Sequence, residues 1–367
     1  MKVLIVGAGI GGLTLGAFLK KLNIDFDIVE KCTDWNKQGY SIGIWDNGRD
    51  ILEKLGLADK FDKEGQKIRD FIICSGKGKL LKRYDLSEFY SEYGSAYTHL
   101  NRKSLHDWLL ELVGDNKVRL GTTIESLEQM QGYDVVIAAD GVHSQVRSLV
   151  FSKKDCEHYS EWRVWLTRVN NKYQKESSVI QYIEPEQFVS VFDDKDQTLA
   201  VLIAPADHTS WDEELGRTDR IKKIFNRHPV VSEMLQGIND SEITPTNLSF
   251  VNMKNWTKGN IALLGDAAHA MEPFAGLGAS MAMEDAYVLA GELFKIQEGG
   301  QAIETALNQY EFKRKNRIKI AKKATVNMRW WAICRSSLFQ KVITWCAPYA
   351  PTGYFTKNFR NLLKQDI

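Results

Sequence analysis

The sequence predicts an α/β protein: a parallel, doubly wound sheet, an antiparallel β-sheet inserted into it, and a C-terminal helical segment. Three observations point there. An apolar run opens the chain and breaks on regularly spaced glycines. Two later apolar runs end on an aspartate beside a glycine. Between the three lie β-rich stretches of different texture, with turn residues at short intervals.

The first element is "KVLIVGAGIGGLTLGAFLKKLNIDFDIVEK", residues 2–31. Residues 2–6 suit a buried parallel strand. Gly7, Gly9 and Gly12 form GxGxxG: the first allows a tight turn, the second lets backbone approach a pyrophosphate, and the third lets helix pack on strand. A helix from about residue 10 aims its N-terminal amides at the phosphates. A second strand, 26–30, ends on Glu30, an acid placed to accept hydrogen bonds from ribose hydroxyls and so suited to the adenosine of FAD or NAD. With Ile10 and Gly11 inside the turn and Lys31 beside the acid, these residues form the first candidate site. Residues 3–19 carry no charge, but their glycine pattern and the closing Lys20–Lys21 argue against a leader peptide or a membrane span.

The second element, "YDVVIAADGVHSQVR" (133–147), reads as a strand at 134–139 ending on Asp140-Gly141. Ser144 and Arg147 follow on one side of a new helical turn; alone, this is equally a strand, a turn and a capped helix. The third, "GNIALLGDAAHAMEPFAGLGASMAMEDAYVLAGEL", gives a strand at 261–264 after which Gly265 and Asp266 stand at the C-terminal edge, where ligands of parallel sheets lie. An acid there can bond a polyol hydroxyl. The loop from Pro273 through Gly276, Leu277 and Gly278 can approach a flat ring closely, and a helix from about Ala279 turns its positive end toward it. The loop has the features needed to hold an isoalloxazine and its ribityl chain.

In this order and spacing, the three motifs resemble those of the single-component FAD-dependent aromatic hydroxylases. This is the p-hydroxybenzoate hydroxylase-like family, which includes flavin enzymes that inactivate tetracyclines. The resemblance covers most of residues 1–310. It implies a Rossmann-like (GR2-type) FAD-binding domain, with Gly7, Gly9, Gly12 and Glu30 on the ADP part and Asp140 near the pyrophosphate and concerned with NAD(P)H use. It also puts Asp266 on the ribityl chain and Pro273 to Gly278 along the flavin. "HLNRKSLHDWLL" resembles the family's Arg-x-x-Leu helix start, which assigns Arg102 to FAD; the alternative is a solvated charge at a helix end. The implied activity is a monooxygenase: NAD(P)H reduces FAD, O₂ forms a C4a-hydroperoxyflavin, and an aromatic or polycyclic small molecule is hydroxylated. Such chemistry belongs largely to the cofactor, so no acid–base pair need stand out, and none does. Other flavin chemistry on the same fold, such as a halogenase or prenyl-chain reductase, and a non-catalytic flavin-fold binding protein are the alternatives.

Two stretches supply the inserted sheet. Residues 70–84 read as a hairpin turning at Gly76–Gly78, and 179–203 as three β-rich runs. The expected division is a discontinuous FAD-binding domain (1–69, 100–160, 255–312), a substrate-binding sheet domain (70–99, 161–254) and a C-terminal segment (313–367). "SEWRVWLTRV" (160–169) lacks the WxWxIP of flavin-dependent halogenases; Trp162 and Trp165 read as core, with a substrate-facing Arg163 the lesser option.

At 367 residues, 44% hydrophobic and 26% charged, the chain is of ordinary soluble globular type, long enough for two domains. Its five cysteines (Cys32, Cys74, Cys156, Cys334, Cys346) are scattered, without CxxC, which fits a reducing, cytoplasmic setting. The histidines show no metal-ligand spacing, and His269 reads as a packing or hydrogen-bonding residue. Net charge is +1, yet 313–367 carry thirteen Lys/Arg against Asp366 alone. That basic segment, rich in aromatics (Trp330, Trp331, Phe339, Trp345, Tyr349, Tyr354, Phe355, Phe359), has three readings. It is a helical layer packing on the acidic remainder, a peripheral membrane contact, or a nucleic-acid surface, the last disfavoured because no recognised module frames the charges.

Overall fold

Burial in the computed structural model follows the apolar runs. It describes residues 1–35, 40–87, 90–91, 97–151, 157–170, 177–194, 197–207, 211–333, 336–346, 349, 359 and 362. β1 (Lys2–Val6) is buried along its length and pairs in parallel with β2 (Asp25–Val29) across α1 (Ile10–Lys21). β3 (Ser41–Trp45), α2 (Asp46–Lys54), α3 (Ala58–Glu64) and β4 (Gln66–Lys67) precede the hairpin of β5 (Asp70–Ser75) and β6 (Leu80–Asp85). β7 (Tyr97–Asn101) leads into α4 (Arg102–Val113), capped by Asn101, whose side chain accepts from Lys103 N at 2.9 Å.

β8 (Val118–Arg119) and β9 (Val135–Ala138) rejoin the first sheet, and α5 (Gln145–Val150) follows. The second insertion runs β10 (Glu157–Val169), β11 (Ser178–Glu184), β12 (Gln187–Asp194), β13 (Gln197–Pro205), α6 (Arg217–Ile224), α7 (Pro229–Met234) and β14 (Thr244–Val251). The chain then returns through β15 (Thr257–Lys258), β16 (Ile261–Leu263), α8 (Asp266–His269), α9 (Gly278–Gln297), the long α10 (Ile303–Ala332) and α11 (Ser337–Cys346).

The first sheet has the order β15-β16-β9-β1-β2-β8, parallel throughout except for β15. The inserted sheet has the order β14-β10-β13-β12-β11-β5-β6. It is mixed rather than antiparallel: β5 and β11 pair in parallel, Phe71 opposite Val179. The two strands come from separate excursions out of the first sheet, so no hairpin turn forces them to oppose. One face of this sheet is closed by α6 and α7 through Ile221, Phe225, Val231 and Met234. On the other, Trp162, Val164, Phe188 and Ile203 pack with Phe274 and with Ala332 and Ile333 at the end of α10.

The expected divisions at 99/100, 160/161 and 312/313 fall inside β7, β10 and α10. Hydrogen-bonded elements do not break where composition changes, and α10 carries the basic run within one continuous helix. Trp165 packs on the α6 side, where its Nε1 donates to Asp212 Oδ2 at 2.9 Å. Arg163 shares that face by strand alternation and donates to Asn247 Oδ1 at 2.8 Å, so it points away from the cofactor domain. Cys32, Cys74 and Cys346 are free thiols, while Cys156, Cys334, Tyr354 and Phe355 lie outside the described residues.

Candidate functional site

Sheet order brings the three motifs together. β16, β9 and β1 are neighbours, and each continues at its C-terminal end into one motif loop. Backbone bonds stitch these exits: Ala139 N donates to Val6 O at 2.7 Å, and Leu264 N to Ala138 O at 2.8 Å. Two side chains complete the lacing. His106, on α4, donates from Nε2 to Ala8 O at 3.0 Å, with burial holding its pKa down and the ring neutral. Arg147 donates to Ala267 O at 2.9 Å and Val142 O at 2.6 Å, tying the second loop to the third.

The glycines divide by cause. A Cβ on Gly7 would overlap the Ala139 carbonyl, and its φ of +105° excludes ordinary side chains anyway. One on Gly12 would overlap the Gly7 carbonyl oxygen, and one on Gly11 would come within 2.6 Å of Leu264 Cδ2. All three are required by the protein's own packing, Gly11 by the contact of α1 with Leu264 and Ala282. Gly9 is different. Nothing lies within 4 Å of a Cβ built there, and its backbone (φ −72°, ψ −179°) suits any residue. Its open cradle fits a phosphate approaching backbone amides at a helix start.

Glu30 accepts from Ala8 N at 2.8 Å and Cys32 N at 3.0 Å, one bond on each oxygen. That fixes the carboxylate beside the glycine turn with lone pairs left for hydroxyl donors. Lys31 is exposed, and the Ile10 side chain is buried in the core. Asp140 caps α5, accepting from Gln145 N at 2.8 Å through Oδ2, while its Oδ1 is buried without a partner. Ser144 is the N-cap of α5 itself, accepting from Arg147 N at 3.0 Å.

Asp266 and Arg102 are accessible yet walled in by protein, as expected of groups lining a cleft. Enclosure pushes the Asp266 carboxyl up, with His269 and Arg102 opposing; enclosure likewise pulls Arg102 down, with Asp266 opposing. The flavin-type loop is a short 3₁₀ turn, Pro273–Ala275, followed by Gly276 at φ +62°. Leu277 is buried, so only its backbone faces the cleft, beside Gly278 and Ala279 at the start of α9. Trp45 holds this loop: its indole donates to Ala275 O at 2.8 Å and its backbone N to Ser280 Oγ at 3.1 Å. A Cβ on Gly276 would lie 2.5 Å from the Tyr97 hydroxyl, placing Tyr97 directly against the loop.

Behind the loop is a buried charge network that no local pattern signalled. Asp285 accepts from Gly265 N at 3.1 Å, from His269 Nε2 at 2.5 Å and from Arg314 Nε at 2.6 Å. Its neighbour Glu284 accepts from Arg314, from Arg317 Nη2 at 2.6 Å and from Asn47 at 2.7 Å. Burial drives the Asp285 pKa up, but His269 and Arg314 outweigh it and hold it at about 2. Arg314 and Arg317 of the basic run are therefore internal counter-ions, and Arg314, through Asp285, fixes the base of the Gly265–Asp266 turn.

The roof is apolar with few polar groups. Phe188 and Phe274 meet edge to face at 5.9 Å, and Ile73, Leu166 and Val201 on the same side are only partly buried. At the seam, β7 presents Tyr97 and His99 on one face. The His99 ring sits edge-on to Phe192 at 4.3 Å, its Nδ1 is buried without a partner, and burial lowers its pKa to about 3.

With an open cradle at Gly9, an orphaned oxygen at Asp140 and the Asp266–Arg102 pair in the cleft, the residues fit a bound dinucleotide. A model of the FAD binding domain family matches residues 1–325. The chain belongs to that family. It is 29% identical over 307 residues to the aurachin C monooxygenase/isomerase of Stigmatella aurantiaca, covering 79% of this chain and 80% of that one. Klebsiella pneumoniae HpxO complexed with FAD and uric acid superposes with a TM-score of 0.88 at 21% identity, over 99% of this chain and 96% of that one. The tetracycline destructase Tet(55) does so at 0.76 and 25% identity, over 97% and 96%. FAD-dependent oxygenation is the activity class of this family member, with NAD(P)H the reductant typical of the class.

Proposed function

We propose that this chain hydroxylates an aromatic or polycyclic small molecule with NAD(P)H and O₂, in the cytoplasm and with a peripheral membrane contact through 313–367. The observation that carries the reading is the convergence of three loops at the C-terminal ends of β1, β9 and β16, beneath an apolar sheet face. Gly7, Gly9 and Gly12 with Glu30 would hold the ADP part of FAD, Asp140 and Gly141 its middle, and Gly265, Asp266, Arg102 and the Pro273–Ala279 segment its flavin end. When bound, FAD supplies electron transfer from the nicotinamide and activation of O₂.

The chain's own part is positional. Trp45 and Asp285 fix the flavin-side loop from two directions. The packed inner face of the sheet excludes water, which favours oxygen transfer over wasteful release of peroxide. Tyr97 and the neutral His99 stand at the seam, where a substrate ring would meet polar groups. Uric acid, bound in the Klebsiella pneumoniae HpxO structure, is a planar fused-ring molecule, which supports a planar, polycyclic substrate.

Purified protein should carry FAD and oxidise NADH or NADPH faster with the right member of a panel of phenols, quinolones, purines and polyketides. Under ¹⁸O₂ the product should gain one ¹⁸O atom. Product without ¹⁸O, or a chain that takes up no FAD, overturns the proposal.

A further inference from the structure

The C-terminal helices bury one apolar face, through Ile318, Ala321 and Ala324, and expose a second set of large apolar residues. On α11, Leu338, Val342 and Trp345 follow i, i+4, i+7 spacing, and Tyr349, beyond the helix end, meets the Trp345 ring at 6.4 Å. These positions form one stripe, yet Leu338, Val342, Trp345 and Tyr349 are 73%, 48%, 73% and 79% exposed. An amphipathic helix on a globular core normally turns that stripe inward. The end of α10 repeats the pattern: Lys319, Lys323, Val326 and Trp330 fall at i, i+4, i+7 and i+11, all exposed. A Trp330–Phe339 ring contact at 6.1 Å joins the two stripes into one patch.

The charge around this patch has one sign. Residues 313–365 contain no Asp or Glu. Part of the basic run is engaged internally: Arg314 and Arg317 with Glu284, Lys313 with Glu292, Lys315 with Glu311, and Arg329 with Glu272. Lys319, Lys323 and Lys341 instead stand exposed among or beside the apolar side chains. A second copy of this chain laid on the same face would bring these lysines against each other, which disfavours a symmetric contact. Among the described residues no helix is long and apolar enough to cross a membrane.

From these observations we infer that the α10–α11 patch docks on an anionic lipid surface, with Val326, Trp330, Leu338, Val342 and Trp345 in the headgroup–acyl boundary and Lys319, Lys323 and Lys341 on lipid phosphates. An apolar stripe rimmed by lysine and carrying tryptophan is the composition an interfacial helix needs. The patch is also continuous with the roof core. Ala332 and Ile333, two and three residues after Trp330, pack with Phe274 and the roof residues Trp162 and Phe188. A lipophilic ring substrate leaving the bilayer would thus enter beside the flavin loop. That delivery role rests on the hydroxylase reading above; the docking itself does not.

The test is flotation of full-length, FAD-loaded protein with phosphatidylcholine vesicles containing or lacking 30% phosphatidylglycerol. The expected result is co-flotation with the anionic vesicles, weakening as salt is raised. Trp330→Ser with Trp345→Ser, and separately Lys319→Glu with Lys323→Glu and Lys341→Glu, should each cut binding at least about tenfold. FAD content and NAD(P)H oxidation in detergent-free buffer should not change. Absence of wild-type flotation, or variants that float like wild type, overturns the inference. So does a wild-type dimer that Trp330→Ser and Trp345→Ser convert to monomer without any vesicle binding. None of these readouts depends on turnover, so hydroxylase activity can fail while docking stands.

Discussion

Gly9→Ala and Gly12→Ala should dissociate ligand binding from folding, although both remove a glycine from the same turn. At Gly12 the added methyl would overlap the Gly7 carbonyl oxygen, a backbone atom that cannot swing aside. Overpacking costs about 1–3 kcal/mol, and a clash with fixed backbone belongs at the upper end. At Gly9 the methyl meets no protein atom within 4 Å, and φ −72° with ψ −179° is ordinary extended backbone. Reduced freedom of the unfolded chain should then leave apo-protein stability unchanged or raise it by about 0.4–1 kcal/mol. The same methyl stands where a pyrophosphate would approach, so FAD affinity should fall at least tenfold, about 1.4 kcal/mol. Urea denaturation of the apo-proteins and flavin-fluorescence titration measure the two quantities separately. Wild-type FAD affinity in Gly9→Ala, or apo-stability lost as severely as in Gly12→Ala, would refute the reasoning.

Asp266→Asn should weaken FAD binding by about tenfold or more, with apo-stability unchanged or slightly raised because an enclosed carboxylate is removed; titration and urea denaturation report both. Arg314→Met leaves Glu284 and Asp285 buried with fewer counter-charges and should cost about 3–5 kcal/mol by urea denaturation, with Arg314→Lys intermediate. His99 has a folded pKa of about 3, below the ordinary histidine value of about 6.5. Between those values the unfolded chain binds a proton that the folded chain does not. Stability should therefore fall as pH drops below about 6.5, by about 2 kcal/mol at pH 5, and level off near pH 3. His99→Phe should flatten that slope in urea midpoints measured between pH 7 and 5; an unchanged slope would mean that His99 takes up its proton in the fold.

Much of the site was legible because its parts are local. A glycine that must clear its own neighbours, an acid at a strand tip and a helix start within a few residues are visible in any short window. So Gly7, Glu30, Asp140 and Asp266 could be placed at the ends of strands, and Gly12 at a helix start, from the sequence. The hairpin at Gly76–Gly78 was legible for the same reason. What escaped were partners far apart in the chain: Trp45 with Ala275, His106 with Ala8, Arg147 with Ala267, and Asp285 with Arg314. The parallel pairing of β5 with β11 escaped too, since strand direction across a chain excursion leaves no trace in either strand. The basic segment was legible only in outline, as a layer whose charges face the acidic remainder. Composition counts thirteen cations there but cannot show which ones face a carboxylate two hundred and more residues into the chain.

The sequence by itself determined the class of fold, the three cofactor loops and the chemistry they suit, because each depends on backbone geometry over a few consecutive residues. Only the tertiary structure decided that Gly9 alone among the four glycines of the turn is free of the protein's own demands. It likewise decided that Arg314 and Arg317 serve the interior, and that the apolar stripe of the last helices faces outward. Those outcomes depend on which distant surfaces exclude water from each other, and that contact is settled only when the whole chain has packed.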